Sequence, residues 1–396
     1  METQRQKRIF LALLFTIIAM GVHAYLAMHH YDLKFGLSEG KAFCNVNDYA
    51  SCDAVAASKY AELFGVPMAM FGLVGQAILA ILLFVYAVGW TQLPQHVSRM
   101  IYFLSLFYAG VSIVMGAISF GIIQKFCVMC FVTYLLSFIT LFLTHTGVED
   151  KSFSEFFKDI PEWFTKRYAH LSFLVAIPAV AYIANAAIVK SYAGGAYQLA
   201  IAEYSSRWNV AKEVSLDLSK GLLYRPQLTQ SKMTIVEFAD FRCGHCKKAA
   251  QPLHAFASSH PDVQLIYKFY PLDGTCNTAL KDSGGDGISC HLAFLTYCSE
   301  KLAKAGWKAH DLIYDAQETF ARQTKELSTA NIAEALKINP ADLKACTEEK
   351  DTFDAVQAQA AEGTEVKGTP TIYVNGKILP PTGLFIPLLQ EIYTKY

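Results

Sequence analysis

Five apolar runs constrain this chain more than any other feature. They lie near residues 9–29, 66–88, 100–124, 126–146 and 169–190. Each is long enough for the about 20 helical residues that cross roughly 30 Å of hydrocarbon. A membrane interior has no water to satisfy a broken backbone, so such runs commit the first half of the chain to helices. After Lys190 the sequence turns mixed and globular, and the remaining stretch of about 200 residues suffices for one further domain. These two regimes together explain a bulk composition of 53% apolar residues with zero formal net charge. That balance gives no support for nucleic acid as a partner.

The first run also admits reading as a signal peptide, with Val22 and Ala24 at the cleavage site. The apolar stretch continues past Ala24, which favours an uncleaved span. Basic residues set the orientation. Arg5, Lys7, Arg8, Arg99, Lys151, Lys158, Lys166 and Arg167 flank one side, against Lys34, Lys41, Lys59 and Lys125 on the other. The richer side faces the cytoplasm. The N-terminus is therefore expected in the cytoplasm and, after five spans, everything beyond Lys190 outside it. All ten cysteines then fall on the outer side, where an oxidising compartment permits disulfides.

"MTIVEFADF", from Met233, alternates as a buried strand does, and Cys243-Gly244-His245-Cys246 follows at once. "KKAAQPLHAFASSH" reads as a helix, which puts Cys243 at a helix N-terminus. Unpaired N–H groups and the helix dipole favour a thiolate there. His245, when protonated, is expected to stabilise it further. A readily formed thiolate is also a good leaving group, so its disulfide is the more oxidising. Near the end, Thr369-Pro370 precedes two short strands around an Asn375-Gly376 hairpin turn. Half a zinc site is the rival reading of the pair, but no second pair at zinc spacing follows in this domain. Cys276 and Cys290 flank a Gly-rich loop and are expected to close it as a structural disulfide. Cys298 and Cys346 lie in helical sequence, and their pairing stays open.

Strand, Cys-x-x-Cys, helix and a late Thr-Pro hairpin together resemble the thioredoxin fold. A largely helical stretch over about 271–360 resembles the inserted helical domain of DsbA-like proteins. The resemblance implies that Pro370, after Thr369, is the cis proline facing the active-site sulfurs. It also implies that Glu237 is the buried acidic residue of DsbA relatives. Gly244 replaces the proline usual in DsbA, which leaves the redox potential open.

"FCVMC" puts Cys127 and Cys130 at the outer end of the fourth run, and Cys44 and Cys52 lie in the first outer loop. Two pairs on one membrane face suit a thiol–disulfide relay. A zinc site made of all four is the structural alternative, but the seven residues between Cys44 and Cys52 exceed usual zinc spacing. Residues 8–146 resemble the vitamin K epoxide reductase family. The resemblance rests on the two cysteine pairs, Ser58, the Phe71-Gly72 pair and Tyr134 four residues after Cys130. It implies a four-helix bundle with Ser58, Phe71 and Tyr134 around a quinone. Met68 stands where the animal enzymes place a quinone-contacting asparagine, so vitamin K epoxide itself is not assumed.

The whole chain resembles bacterial fusions of that family, in which an extra helix, here 169–190, tethers a thioredoxin-like domain. The expected architecture is a polytopic α-helical membrane domain over 1–150, a cytoplasmic loop and fifth transmembrane helix over 151–190, and a linker over 191–232. An α/β thioredoxin-like domain with a helical insertion then occupies 233–396. The resemblance implies electron flow from a substrate dithiol to Cys243–Cys246, Cys44–Cys52, Cys127–Cys130 and a quinone (ubiquinone or menaquinone), with no metal. Expected partners are that quinone, the lipid bilayer and secreted or periplasmic proteins with reduced cysteines, at a bacterial inner membrane. The rival is the same relay run outward, as a disulfide reductase or isomerase. A non-enzymatic scaffold leaves the low-pKa setting of Cys243 without a purpose.

Overall fold

The computed structural model describes residues 2–37, 42–47, 49–165, 168–193 and 197–396. Lys41, Lys166 and Arg167 from the charge count, and Gly194, Gly195 and Ala196 of the expected linker, lie outside the described residues. The chain divides into two compact units, one of Met1–Asp32 with Ala42–Tyr197 and one of Leu33–Lys41 with Gln198–Tyr396.

The first unit runs through α1 (Glu2–Lys34), α2 (Cys52–Ala56), a two-stranded hairpin of β1 (Glu62–Leu63) and β2 (Val66–Pro67), and α3 (Met68–Ala87). It continues with α4 (Pro94–Ala117), α5 (Val128–Gly147), α6 (Phe153–Thr165) and α7 (Tyr168–Ala193). Among the described residues five helices are long and apolar enough to cross a membrane: α1, α3, α4 with the turn that extends it, α5 and α7. This is the make-up of a multi-pass membrane protein. Phe10, Leu14 and Ile17 stand exposed on α1, as lipid-facing side chains do, while Ile9, Leu79, Leu83 and Ile101 pack inward. Hydroxyls inside the spans return their protons to the backbone. Thr16 donates to the Ala12 carbonyl at 2.8 Å and Ser105 to that of Ile101 at 2.7 Å, so neither is left unsatisfied in hydrocarbon. Gly75 leaves no room for a side chain, because an added Cβ would overlap the Tyr108 hydroxyl; small residues let membrane helices approach this closely.

The third span ends in a π-helical turn, Ile118–Ile123, and Gln124 then takes a left-handed conformation with φ of 56°. That reversal delivers the chain straight to Cys127. At the other end of the bundle Arg99, 4% exposed, donates its Nε–H to Asp159 at 2.8 Å and pairs with Asp150. A buried guanidinium needs such partners.

The second unit contains α8 (Tyr197–Val210), β3 (Leu222–Leu223), β4 (Met233–Ala239), α9 (Gly244–Ser259) and β5 (Val263–Phe269). Six helices follow: α10 (Ile288–Ala303), α11 (Gly306–Asp315), α12 (Gln317–Phe320), α13 (Lys325–Leu336), α14 (Pro340–Glu348) and α15 (Lys350–Glu362). Strands β6 (Thr371–Val374) and β7 (Lys377–Ile378) and helix α16 (Phe385–Tyr393) close the chain. The sheet order is β3-β5-β4-β6-β7. Only β4 and β5 run parallel, joined through α9, while β6 lies antiparallel to β4. This is a thioredoxin-like sheet with a helical insertion between β5 and β6. The central strands are buried nearly throughout, as strands covered on both faces must be.

Part of the segment read as a linker belongs to this domain. Leu222 pairs with Tyr267 at the sheet edge, and the buried Trp208 donates its indole N–H to the Val374 carbonyl at 3.3 Å. A two-residue strand has no periodicity to read. Cys276 is joined to Cys290, and Cys298 to Cys346 with Cα atoms 5.9 Å apart. The second bond, which the sequence left open, ties α10 to α14 through the core.

Candidate active site

In the membrane unit, Cys127 is the N-cap of α5, and its Sγ accepts the Cys130 N–H at 3.1 Å. The loop that brings Cys44 and Cys52 to it is built from polar side chains. Asn47 Oδ1 accepts the N–H groups of Tyr49 and Ala50 at 2.9 and 2.7 Å, and Asn45 Oδ1 accepts that of Asp53 at 3.2 Å. Ser51 caps α2 through the Ala54 N–H. The Phe126 N–H donates to the Tyr49 carbonyl at 2.8 Å, which fixes this loop beside the residue preceding Cys127. Cys44 is bonded to Cys52 and Cys127 to Cys130. Across the two bonds, Cys52 Sγ and Cys127 Sγ are 3.7 Å apart. Cys44, Cys52 and Cys127 are all at most 3% exposed.

Cys130, Cys127 and Cys52 all border a cavity of about 370 Å³ whose wall is mainly apolar. Ser58, Phe71 and Tyr134 all line it, as does Met68. The Ser58 hydroxyl donates to the Val55 carbonyl at 2.8 Å, so its single proton is engaged within the protein. Tyr134 makes no hydrogen bond with the described residues. Sequence reasoning missed several polar groups in this wall, among them His23, His30 and Tyr108. The signal for the first two was present, since ionisable residues on a membrane span mark functional sites. An apolar chamber with a few convergent polar groups and a redox-active sulfur fits the flat, lipid-soluble ring of a quinone.

In the second unit β4 ends at the active-site turn and Cys243 is the N-cap of α9. Its thiol is pulled down to about 6, first by the Cys246 thiol, with Thr369 and the backbone N–H groups of Cys246 and His245 adding against the opposing effect of burial. The Cys246 N–H lies 3.2 Å from Cys243 Sγ, and the Cys243 thiol donates to the Thr369 carbonyl at 3.3 Å. His245 contributes through its backbone N–H, while its imidazole stands exposed at the rim. The Thr369–Pro370 bond is cis. Cys246 is fully buried, and burial raises its thiol well above the usual range. Glu237, 1% exposed, is pushed up to about 8 by burial, with the charge of Cys243 adding. Cys243 and Cys246 form a dithiol here.

The insertion supports this turn in ways no motif announced. Gln317 donates to the carbonyls of Phe241 and Cys243, both at 2.9 Å. Tyr314 donates to the Asp240 carbonyl at 3.2 Å and meets the Tyr267 hydroxyl at 3.0 Å. A groove of about 730 Å³ runs beside the Thr369–Pro370 loop and His245. Among the described residues no cluster of three or more metal-ligating side chains occurs.

Residues 10–145 match the Vitamin K epoxide reductase family, and residues 234–386 match the DSBA-like thioredoxin domain. Among solved structures the chain is similar to BdbD from Bacillus subtilis, at 19% identity and a TM-score of 0.37, covering 47% of this chain and 97% of that one. Pseudomonas aeruginosa DsbA2 gives 22% identity and a TM-score of 0.33 over 46% of this chain and 97% of that one. A curated relative, Na(+)/H(+) antiporter NhaA 3 of Salinispora tropica, is 22% identical over 37% of this chain; the match spans only 21% of that relative's length. With a dithiol turn in one unit and two abutting disulfides in the other, the protein is a thiol–disulfide oxidoreductase: a Vitamin K epoxide reductase family domain followed on one chain by a DsbA-like thioredoxin domain.

Proposed function

We propose that this protein is a membrane thiol oxidase that drives disulfide formation and discharges the electrons into a quinone. A client dithiol reduces the Cys243–Cys246 disulfide. Cys243, the thiolate of the pair, then attacks the Cys44–Cys52 bond, and Cys52 passes the electron pair to Cys127. Every step is a thiolate attack through a mixed disulfide, so each bond broken is matched by one formed. Cys130 is the last sulfur, at the wall of the apolar cavity. A quinone held there takes up two electrons and two protons. Tyr134 donates a hydrogen bond to it, Phe71 packs on its ring, and Ser58 shapes the wall beside it. Glu237 serves the buried Cys246 thiol, and Thr369 and cis Pro370 border the client groove.

The observation that supports this reading most is the 3.7 Å approach of Cys52 to Cys127, with both sulfurs and Cys130 lining one apolar cavity. The clients are secreted or periplasmic proteins with reduced cysteines. The N-terminus lies in the cytoplasm and the thioredoxin-like domain on the far side of a bacterial inner membrane. Ubiquinone or menaquinone is the acceptor. Anaerobic addition of a dithiol client to the purified protein with quinone should yield quinol in equal amount to new disulfide. No quinol would overturn the proposal. Direction rests on the Cys243–Cys246 potential. A value near about −120 mV marks an oxidant, and one near about −270 mV would favour the outward-running reductase.

A further inference from the structure

Two histidines of α1, His23 and His30, are seven residues apart and both face the cavity that Cys130 borders. They differ in one respect. His30 Nε2 lies 2.7 Å from Glu62 Oε1, on the β1–β2 hairpin. The imidazole is 8% exposed and the carboxylate 19%, so the pair forms a step from water inward to the chamber. With Nε2 donating to the carboxylate, Nδ1 is the nitrogen left over, and it makes no hydrogen bond with the described residues. This is the arrangement in which a carboxylate fixes the tautomer of a histidine and stabilises its imidazolium, leaving the second nitrogen to exchange a proton with a reactant. A histidine–carboxylate pair kept only for packing would carry its desolvation cost at an apolar wall without return.

We propose that His30, held and recharged by Glu62, is the proton donor to the acceptor that Cys130 reduces. The inference rests on the quinone reading above and adds to it the source of a proton. Cys127 and Cys130 join as a disulfide and lose two protons. Their two electrons enter the quinone, whose two oxygens take up two protons. One of these comes from His30, which recovers its proton from water by way of Glu62. The other is one of the two that the thiols release, and the remaining thiol proton leaves to water. The other ionisable groups around the pair are Tyr31, edge-on to His30 at 5.9 Å, Tyr197, which senses the Glu62 charge, and His23, Tyr60, Tyr108 and Tyr134 around the cavity.

The test uses the full-length protein and two readouts. The first is quinone reduction with a dithiol client. The second, without quinone, is the rate at which reduced Cys243–Cys246 opens the Cys127–Cys130 disulfide. His30→Gln should lower kcat by about 100-fold or more, the usual contribution of a general acid, with KM and the quinone-free exchange unchanged. Added imidazole should restore turnover to His30→Ala. Glu62→Gln should lower kcat in the same direction, again with the quinone-free exchange unchanged, because His30 loses the group that returns its proton. Wild-type kcat in His30→Gln would overturn the assignment. So would loss of quinone-free exchange in that variant, or failure of the imidazole rescue, since those outcomes mark a structural role. Wild-type protein that reduces no quinone would overturn the acceptor reading itself, a result distinct from normal quinone reduction in His30→Gln.

Discussion

Cys52 Sγ stands 3.7 Å from Cys127 Sγ although each is already bonded to another sulfur. A small displacement therefore exchanges partners between the two pairs. Cys44, by contrast, is 3% exposed, so meeting an outside thiolate requires its loop to open. Removing Cys52 leaves Cys44 unable to release whatever attacks it. Cys52→Ala should accumulate a Cys44–Cys243 disulfide, readable by fragment mapping after acid quenching. A Cys44–Cys130 bond with none to Cys243 would reverse the assigned order.

Cys130→Ala should abolish quinone reduction while the thioredoxin-like domain still accepts electrons from a dithiol. The reason is order, since Cys52 faces Cys127 and Cys130 is the sulfur bonded to Cys127, at a cavity that all three line. Measuring quinol formation and outer-domain thiols in one sample checks both halves. Normal turnover would remove the cavity from the pathway.

The Cys243 thiol is lowered to about 6 while Cys246 is raised well above its usual range. Below pH 6 both sulfurs of the reduced pair hold protons; above it only Cys246 does. The potential should therefore fall by about 60 mV per pH unit below the break and about 30 mV above it. Titration against glutathione across pH 4 to 8 places the break. A single slope throughout would mean that Cys243 is an ordinary thiol.

Glu237 is fully buried and raised to about 8. A group whose folded pKa is raised stabilises the fold fully below its unfolded value, and that contribution is lost as pH rises through the folded one. Glu237→Gln should therefore unfold with a flatter pH dependence between about pH 4.5 and 8. Above that window it should gain on the order of a few kcal/mol over the parent. Denaturant unfolding of the reduced protein, followed by outer-domain fluorescence, measures the difference. It should also exchange more slowly at Cys246, which loses its nearest carboxyl.

Much of this was readable before any coordinates. Span count follows from hydrocarbon thickness, and β4 with its Cys-x-x-Cys turn follows from alternation and adjacency. What escaped reading was long-range. Nothing local to Gln317 indicates that it holds the carbonyls of Phe241 and Cys243. Leu222–Leu223 is too short to register as a strand, and Trp208 gave no sign that it belongs to the domain. Nor does the sequence show that the Ser58 hydroxyl donates to a carbonyl three residues back. Sequence shows which groups are present; packing decides which of their atoms are free to act.

Cys298→Ala with Cys346→Ala should destabilise the outer domain by about 4 kcal/mol from the entropy of a loop of this size, and loss of Cys276–Cys290 by about 3 kcal/mol. The sequence separations behind those figures are 48 and 14 residues. Denaturant unfolding of the variants measures both.

Those two bonds carry a further consequence. They lie in the domain proposed to hand disulfides to others, one of them tying α10 to α14 across its core. On that proposal a newly made copy would need two units of the product before its own helical lobe is secure, and a mature copy could supply them. The enzyme population would renew itself from its own output, and cells emptied of it would recover with a lag that a seed of finished protein abolishes.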